Sequence, residues 1–234
     1  MKKVFALIAA AVLGTTTLIA QDDSGVRLGI KLAPNMGFVK PDTKGIDGNG
    51  AGFGYTWGLL AEFPFGSNGN YRFATGLFMN NLMGKWKTTF TYQDAINGPM
   101  LNKDLATDVK LQYVELPLTV KLMTKEIGYM RYYGQLGFGA AFNISAKANT
   151  VTPKFDATGG YVVDFTEENK VDFQKSISFF KAGLVVGGGF EYNFSGSTSL
   201  LVGVTYNNGL TNILDISGAK AKASYVELTT GVFF

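Results

Sequence analysis

The residues best placed to do chemistry are ten charged side chains that recur on the polar positions of alternating segments: Arg27, Lys31, Glu62, Arg72, Glu115, Lys121, Arg131, Lys181, Glu191 and Glu227. Four are acids and six are bases. Their natural chemistry is ion pairing in a confined space, because charges removed from water must be neutralised by partners. They make poor candidates for catalysis. The sequence has no His and no Cys, which removes Ser-His-Asp and Cys-His nucleophile systems, His metal sites and the commonest general base. No phosphate-cradling loop is present, and Gly187–Gly189 sits inside a strand pattern, where it relieves crowding or bends the wall. Glu167 and Glu168 with Asp164 and Asp172 match no ordered calcium loop and read as a solvated segment. No cofactor is expected.

The elements that must position these charges are long strands. In Met130–Ala146 one parity reads Met130, Tyr132, Gly134, Leu136, Phe138, Ala140, Phe142, Ile144; the other reads Arg131, Tyr133, Gln135, Gly137, Gly139, Ala141, Asn143, Ser145. A period of two places the sets on opposite faces of one strand. The same split recurs in Phe53–Phe63, Val114–Leu122, Phe180–Tyr192, Leu200–Tyr206 and Val226–Phe234. Eight segments follow, at about 25–40, 50–63, 71–93, 106–124, 129–148, 170–194, 198–212 and 219–234. Strands near 20 residues are long for a soluble sheet and suit tilted strands that project past a bilayer. The connections at Phe65–Asn70, Lys125–Gly128 and Ser195–Ser197 are short. Those at Pro41–Asn49, Asp94–Leu105 and Asn149–Asn169 are long, and Leu214–Gly218 is intermediate.

Parity alone does not say which face is inside, since a soluble barrel alternates too. With the apolar parity outward, the ten charges gather in a narrow lumen. Aromatics then recur near strand ends as interfacial girdles: Tyr55, Trp57, Phe63, Tyr71, Trp86, Tyr132, Phe190, Tyr192 and Phe234. An eight-stranded barrel is just wide enough to be filled by side chains. The expected fold is therefore all-β: an eight-stranded antiparallel up-and-down transmembrane β-barrel, with short turns periplasmic and long loops outside. In Val109–Tyr113 the apolar parity is odd, whereas from Val114 it is even. A bulge there, or a position above the bilayer, would account for the change.

Residues 1–20 read as a cleavable signal peptide. Lys2 and Lys3 precede the apolar run Val4–Leu13, and Ala20–Gln21 is the cleavage point; the run is too short to span a bilayer as an anchor. Residues 21–234 are then the barrel domain. The formal charge of +3 would fall to 19 − 18 = +1 on removal of Lys2 and Lys3. That balance predicts no nucleic-acid partner. Val226, Leu228, Val232 and Phe234 form an alternating terminal strand suited to be the sorting signal.

Tyr113-Val-Glu-Leu-Pro-Leu-Thr-Val-Lys121 resembles the Tyr-x-Glu-Ile/Leu-Pro-Leu-x-x-Lys strand of the PorT-like, porin-like outer-membrane β-barrels of Bacteroidetes. Leu28-Gly-Ile-Lys-Leu-Ala-Pro-Asn-Met36 resembles that family's opening Gly-x-Lys-x-Gly-x-Asn strand, with Ala33–Pro34 departing from it. The resemblance implies a bacterial outer-membrane location, contact with outer-membrane lipid, and a last strand read by the barrel-assembly machinery. It leaves the role open. A structural or interaction role through the outer loops is the leading expectation; a narrow porin for ions or very small solutes is the alternative. Pro117 is expected at a bulge or near the end of pairing, and Glu115 with Lys121 as either a gating pair or part of an interior salt-bridge network.

Overall fold

The computed structural model describes residues 25–66, 69–196 and 198–234; the expected signal peptide lies outside them. Nine strands run in order: β1 (Arg27–Pro41), β2 (Ile46–Phe65), β3 (Tyr71–Tyr92), β4 (Leu101–Met123), β5 (Met130–Phe155), β6 (Val162–Asp172), β7 (Phe180–Ser195), β8 (Thr198–Gly209) and β9 (Ala221–Phe233). All pairings are antiparallel. Eight strands close the wall: consecutive neighbours pair along the chain, β5 pairs with β7, and β9 returns to β1 from Gly29↔Phe233 to Pro41↔Ala221. Closure leaves the wall without a free edge.

The ninth strand corrects the segment expected at 170–194. Residues 170–172 end β6, Gln174–Ser176 form a 3-10 turn, and the wall strand begins only at Phe180. β5 explains why. Its first half, Met130–Phe142, pairs with β7, and its second half, Lys147–Phe155, pairs with β6. The supposed loop at Asn149–Asn169 is therefore mostly a hairpin. The β3–β4 connection likewise shrinks to residues 93–100. β3, β4, β5 and β6 thus rise well beyond the other strands as a projecting sheet.

The phase change expected near Val109 is also placed differently. On β4 the odd residues Val109, Leu111, Tyr113 and Glu115 all point inward, so its parity is unbroken. The bulge is on β5, where Gln112↔Ser145 is followed by Tyr113↔Asn143 and Ile144 is left over. Inward residues on β5 accordingly switch from Ala141 and Asn143 to Ala146 and Ala148. The apolar odd residues of β4 line the inside of the long-connection end. Pro117 pairs with Gly139 on the β5 side, but the β3–β4 ladder has a gap between Leu118 and Glu115, as its missing donor requires.

The outer face is apolar all round, with Leu32, Leu59, Leu118, Leu136, Val204 and Leu228 all exposed. Rings mark both rims: Phe63, Tyr71, Tyr132 and Phe234 at the short-turn end, and Phe53, Tyr55, Phe142 and Tyr206 towards the other. Trp86 departs from its expected girdle position. It is buried inside, tilted against Phe173 at 6.2 Å between ring centroids.

Candidate functional site: the closed lumen

The interior is built in layers. At the short-turn end, Lys121 Nζ donates to Glu62 Oε1 at 2.6 Å and also to Glu191. Arg27 Nη1 donates to Glu191 Oε2 at 2.6 Å, stands 3.7 Å from Glu62 and donates to Ser199. Arg72 Nε lies 4.0 Å from Glu62 Oε2, an ion-pair distance too long for a hydrogen bond. Three cations thus surround two carboxylates contributed by β2 and β7. One rung further in, Lys31 pairs with Glu227. Aromatic faces cover the cations: Arg27 lies 4.3 Å from the Phe233 centroid, Lys121 4.2 Å from Tyr133, and Lys31 4.4 Å from Phe78. Such contacts offset desolvation of ions that have left water. Tyr133 fits because Gly203 lies beneath it, where a Cβ would come within 3.1 Å of the ring.

At mid-height the chemistry changes from ion pairs to amides. Glu115 accepts from Asn80 Nδ2 (2.9 Å), Asn207 Nδ2 (2.9 Å) and the Tyr225 hydroxyl (2.8 Å). Asn35 Nδ2 donates to Asn80 Oδ1 and to Thr56, each at 3.1 Å. Lys181 is wholly buried, makes no ion pair within 4 Å among the described residues, and lies 5.0 Å from the Tyr225 ring and 5.6 Å from Tyr113. Between these layers Gln135, Thr205 and Thr229 form a hydroxyl chain. They border a cavity of about 50 Å³ that also touches Lys31, Glu62 and Glu227. That holds a few waters and is far below the ~300–1,000 Å³ of ligand pockets.

The long-connection end is sealed by hydrocarbon. Trp86, Val109 and Leu111 from the wall meet Ile177 from the β6–β7 connection and Ile213 and Leu214 from the β8–β9 connection. The two connections hold each other through the Ile177↔Leu214 bridge, Ser178 N–H to Ile213 O (2.9 Å) and Asp215 N–H to Ser176 O (2.8 Å). Charges were expected to fill the whole lumen; they fill its inner half, because the odd residues of β4 turn apolar above Glu115.

The expected charges are placed unequally. Arg131 shares the inward parity but sits at the rim, part-exposed, 3.0 Å from Glu126. Glu115 and Lys121 do not pair: Lys121 belongs to the ionic cluster and Glu115 to the amide cluster. Val226, Leu228 and Val232 face outward on β9, and so does Phe234 just past its end. Asn35, Asn80, Asn207, Tyr113, Tyr225 and Phe233 were not singled out, although they stand on the inward parity. A search for parity rather than charge finds them.

Above the seal, the projecting sheet carries exposed polar ladders. Lys87 Nζ donates to Asp104 at 2.7 Å. That bond raises the Lys87 ammonium above its ordinary value and, with a second from Thr89, lowers the Asp104 carboxyl. Phe165 packs edge-on against Tyr92 at 5.1 Å, with Lys103 3.7 Å from its centroid. The β5–β6 turn is built on Asp156, whose carboxylate accepts from the amides of Gly160 (2.7 Å), Thr158 (3.0 Å) and Tyr161 (3.1 Å) and from the Thr158 hydroxyl. These bonds, led by the hydroxyl, pull its pKa down to about 2.

A closed antiparallel wall, apolar outside with charges inside and aromatic rims, defines a membrane-spanning β-barrel. The chain belongs to the family described as outer membrane protein beta-barrel domain, whose model matches residues 19–215; it is an outer-membrane barrel. Among solved structures it is similar to neisserial surface protein A (18% identity, 90% of this chain and 96% of that one, TM-score 0.47). It is also similar to OprG of Pseudomonas aeruginosa (13%, 89% and 93%, 0.41) and to Ail of Yersinia pestis (17%, 89% and 98%, 0.36). No curated protein sequence matches it.

Proposed function

We propose that this protein is a sealed outer-membrane barrel whose working surface is the β3–β6 sheet, held outside the cell, and that its role is structural or interaction-based. The observation that carries the reading is closure in series. Among the described residues an ionic cluster occupies the short-turn half, the apolar seal occupies the other, and a cavity of about 50 Å³ lies between them. Short turns and both termini of the barrel domain are periplasmic in this orientation. No catalytic role is proposed: His and Cys are lacking, and the interior carboxylates are engaged by cations and amides. The finer kinship with PorT-like barrels of Bacteroidetes rests on the Tyr113–Lys121 strand. Residues 1–20 are proposed to be cleaved on export, so intact mass of the envelope form should correspond to a chain starting near Gln21. The β9 face of Val226, Leu228, Val232 and Phe234 is proposed to be read by the barrel-assembly machinery. Its partners are then outer-membrane lipid and an unidentified external ligand, with no nucleic acid.

The test is planar-bilayer conductance of the full purified chain. Expected is a flat current trace. Stable single-channel steps that change with Glu115→Gln or Arg131→Gln would overturn the sealed barrel and favour the second reading, a narrow pore. The observation on that side is the charge-lined cavity at Lys31, Glu62 and Glu227, with room for water.

A further inference from the structure

The outward face of β2–β5 can be followed rung by rung away from the bilayer centre. Trp57, Met79, Val114 and Phe142 are aligned across four strands and face hydrocarbon. The next rung is Tyr55, Asn81, Gln112 and Ser145. The one after is Met83, Lys110, Lys147 and Asp172, and the last is Lys85, Asp108 and Asn149. The wall therefore passes from apolar to cationic within two rungs, about 7 Å each along a strand.

Lys110 and Lys147 are direct cross-strand partners. Like charges so placed repel, and the neighbouring acids do not relieve them. Asp108 is paired with Lys85 at 3.8 Å. Asp172 accepts the Gln174 amide at 3.0 Å and lies beyond ion-pair distance of Lys147. Among the described residues neither Lys110 nor Lys147 has an ion pair within 4 Å. Below them Gln112 Nε2 donates to Asn81 Oδ1 at 3.1 Å, and Asn81 Nδ2, buried in the wall, has no hydrogen-bond partner. Register skips in β2–β3 between Ala51 and Tyr55, and in β4–β5 beside Tyr113, flank this place. The wall here holds an open groove of about 410 Å³, edged by Phe53, which is 74% exposed.

We propose that this groove binds the phosphorylated headgroup of an outer-leaflet lipid, with Lys110 and Lys147 on the phosphate, Asn81 and Gln112 as amide donors, and an acyl chain lying over Trp57, Met79 and Val114. Charge complementarity selects an anion, since two facing cations lack a counter-charge. Continuity with the hydrocarbon-facing rung selects a lipid over a free anion. The proposal rests on the membrane-spanning orientation given above.

Trp57 supplies the probe. The sequence has two tryptophans, and Trp86 is buried inside as a constant background. The full chain is reconstituted in phosphatidylcholine vesicles, and quenching is compared for acyl-brominated phosphatidic acid and acyl-brominated phosphatidylcholine. Expected is about a tenfold preference for the phosphatidic acid at the Trp57 site, lost in the Lys110→Gln/Lys147→Gln double variant while heat-modifiable gel migration is kept. Equal quenching by both lipids, or a preference that survives in the double variant, overturns the site. Relief of the preference by millimolar inorganic phosphate means a free-anion site and overturns the lipid assignment. No quenching by either lipid means the orientation itself has failed.

Discussion

At the short-turn end of the lumen, Lys121 stands between Glu62 and Glu191 with Arg27 and Arg72 beside them. At the other end of the same strand, Leu111 and Val109 pack against Ile177 and Ile213. β4 contributes to both closures with one unbroken parity, yet one is ionic and the other hydrocarbon. The ionic half is closed by long side chains that reach across the wall. The hydrocarbon half is closed by apolar side chains, Trp86 among them, and by two connections that fold back into the mouth. Each half should therefore fail in its own way. Removing one partner from a buried ion cluster leaves unneutralised charge, whereas trimming an apolar plug costs what its volume and cavity dictate.

The largest effect should follow loss of Lys121. In Lys121→Met, Glu62 and Glu191 keep only the guanidinium groups of Arg27 and Arg72, and the unfolding free energy should fall by about 3–5 kcal/mol. Urea unfolding in phospholipid vesicles, followed by heat-modifiable migration, measures it. Adding Glu191→Gln should restore much of the loss, because the cluster would then lose one charge of each sign. A single variant as stable as the parent would show that the ion pairs do not close the inner half.

Next in size is Leu111→Ala, which removes a side chain 2% exposed within the seal. The expected loss is about 2–4 kcal/mol, with a change in Trp86 emission because both belong to one cluster. Combined with Lys121→Met it should add to within about 0.5 kcal/mol, since the two sites share no partner. A larger interaction would mean that the halves are one cooperative unit and would dissolve the contrast between them.

How much of this was legible beforehand follows from the same contrast. Period-two alternation carried the wall, its direction and the inward set, because every lipid-facing position must be apolar and every strand repeats that demand. It put Lys121, Glu62 and Glu191 on the inward parity but did not show which of the ten charges meet. What it did not carry depended on contacts far apart in sequence. Ile213 and Ile177 seal the mouth only because two connections meet there. Trp86 looks like a girdle ring until β3 is seen to place it inside. β6 hides in what reads as loop because its residues from Thr166 to Lys170 are polar on both faces, outside the bilayer. The Ile144 bulge shifts β5 by one residue, which no single-strand pattern reveals. Asn80 and Asn207 stand on the inward parity, but a neutral amide carries no demand for a partner as plain as a charge's.

The smallest effects should lie on the projecting sheet, where ionic bonds stand in water. Lys87→Gln removes the bond to Asp104, and because both groups are fully exposed the unfolding midpoint should not move measurably. A clear shift would show that exposed and buried pairs on this barrel are not as different as the comparison holds. Asp156 gives the finer test. Its folded pKa, about 2, lies below the ordinary carboxylate value of about 3.9. Ionised Asp156 therefore supports the β5–β6 turn fully above that ordinary value, and the support is lost as pH falls through about 2. Amide protection at Gly160 and Tyr161, corrected for the intrinsic exchange rate, should hold at pH above the ordinary carboxylate value and collapse only near the folded one. Protection across β8 and β9 should be unmoved by that step, because none of their ladder bonds uses this carboxylate. Loss of Gly160 protection already in the ordinary carboxylate range would mean that the four bonds to Asp156 do not hold the turn. Parallel loss across β8 would mean that the projecting sheet and the barrel wall open together.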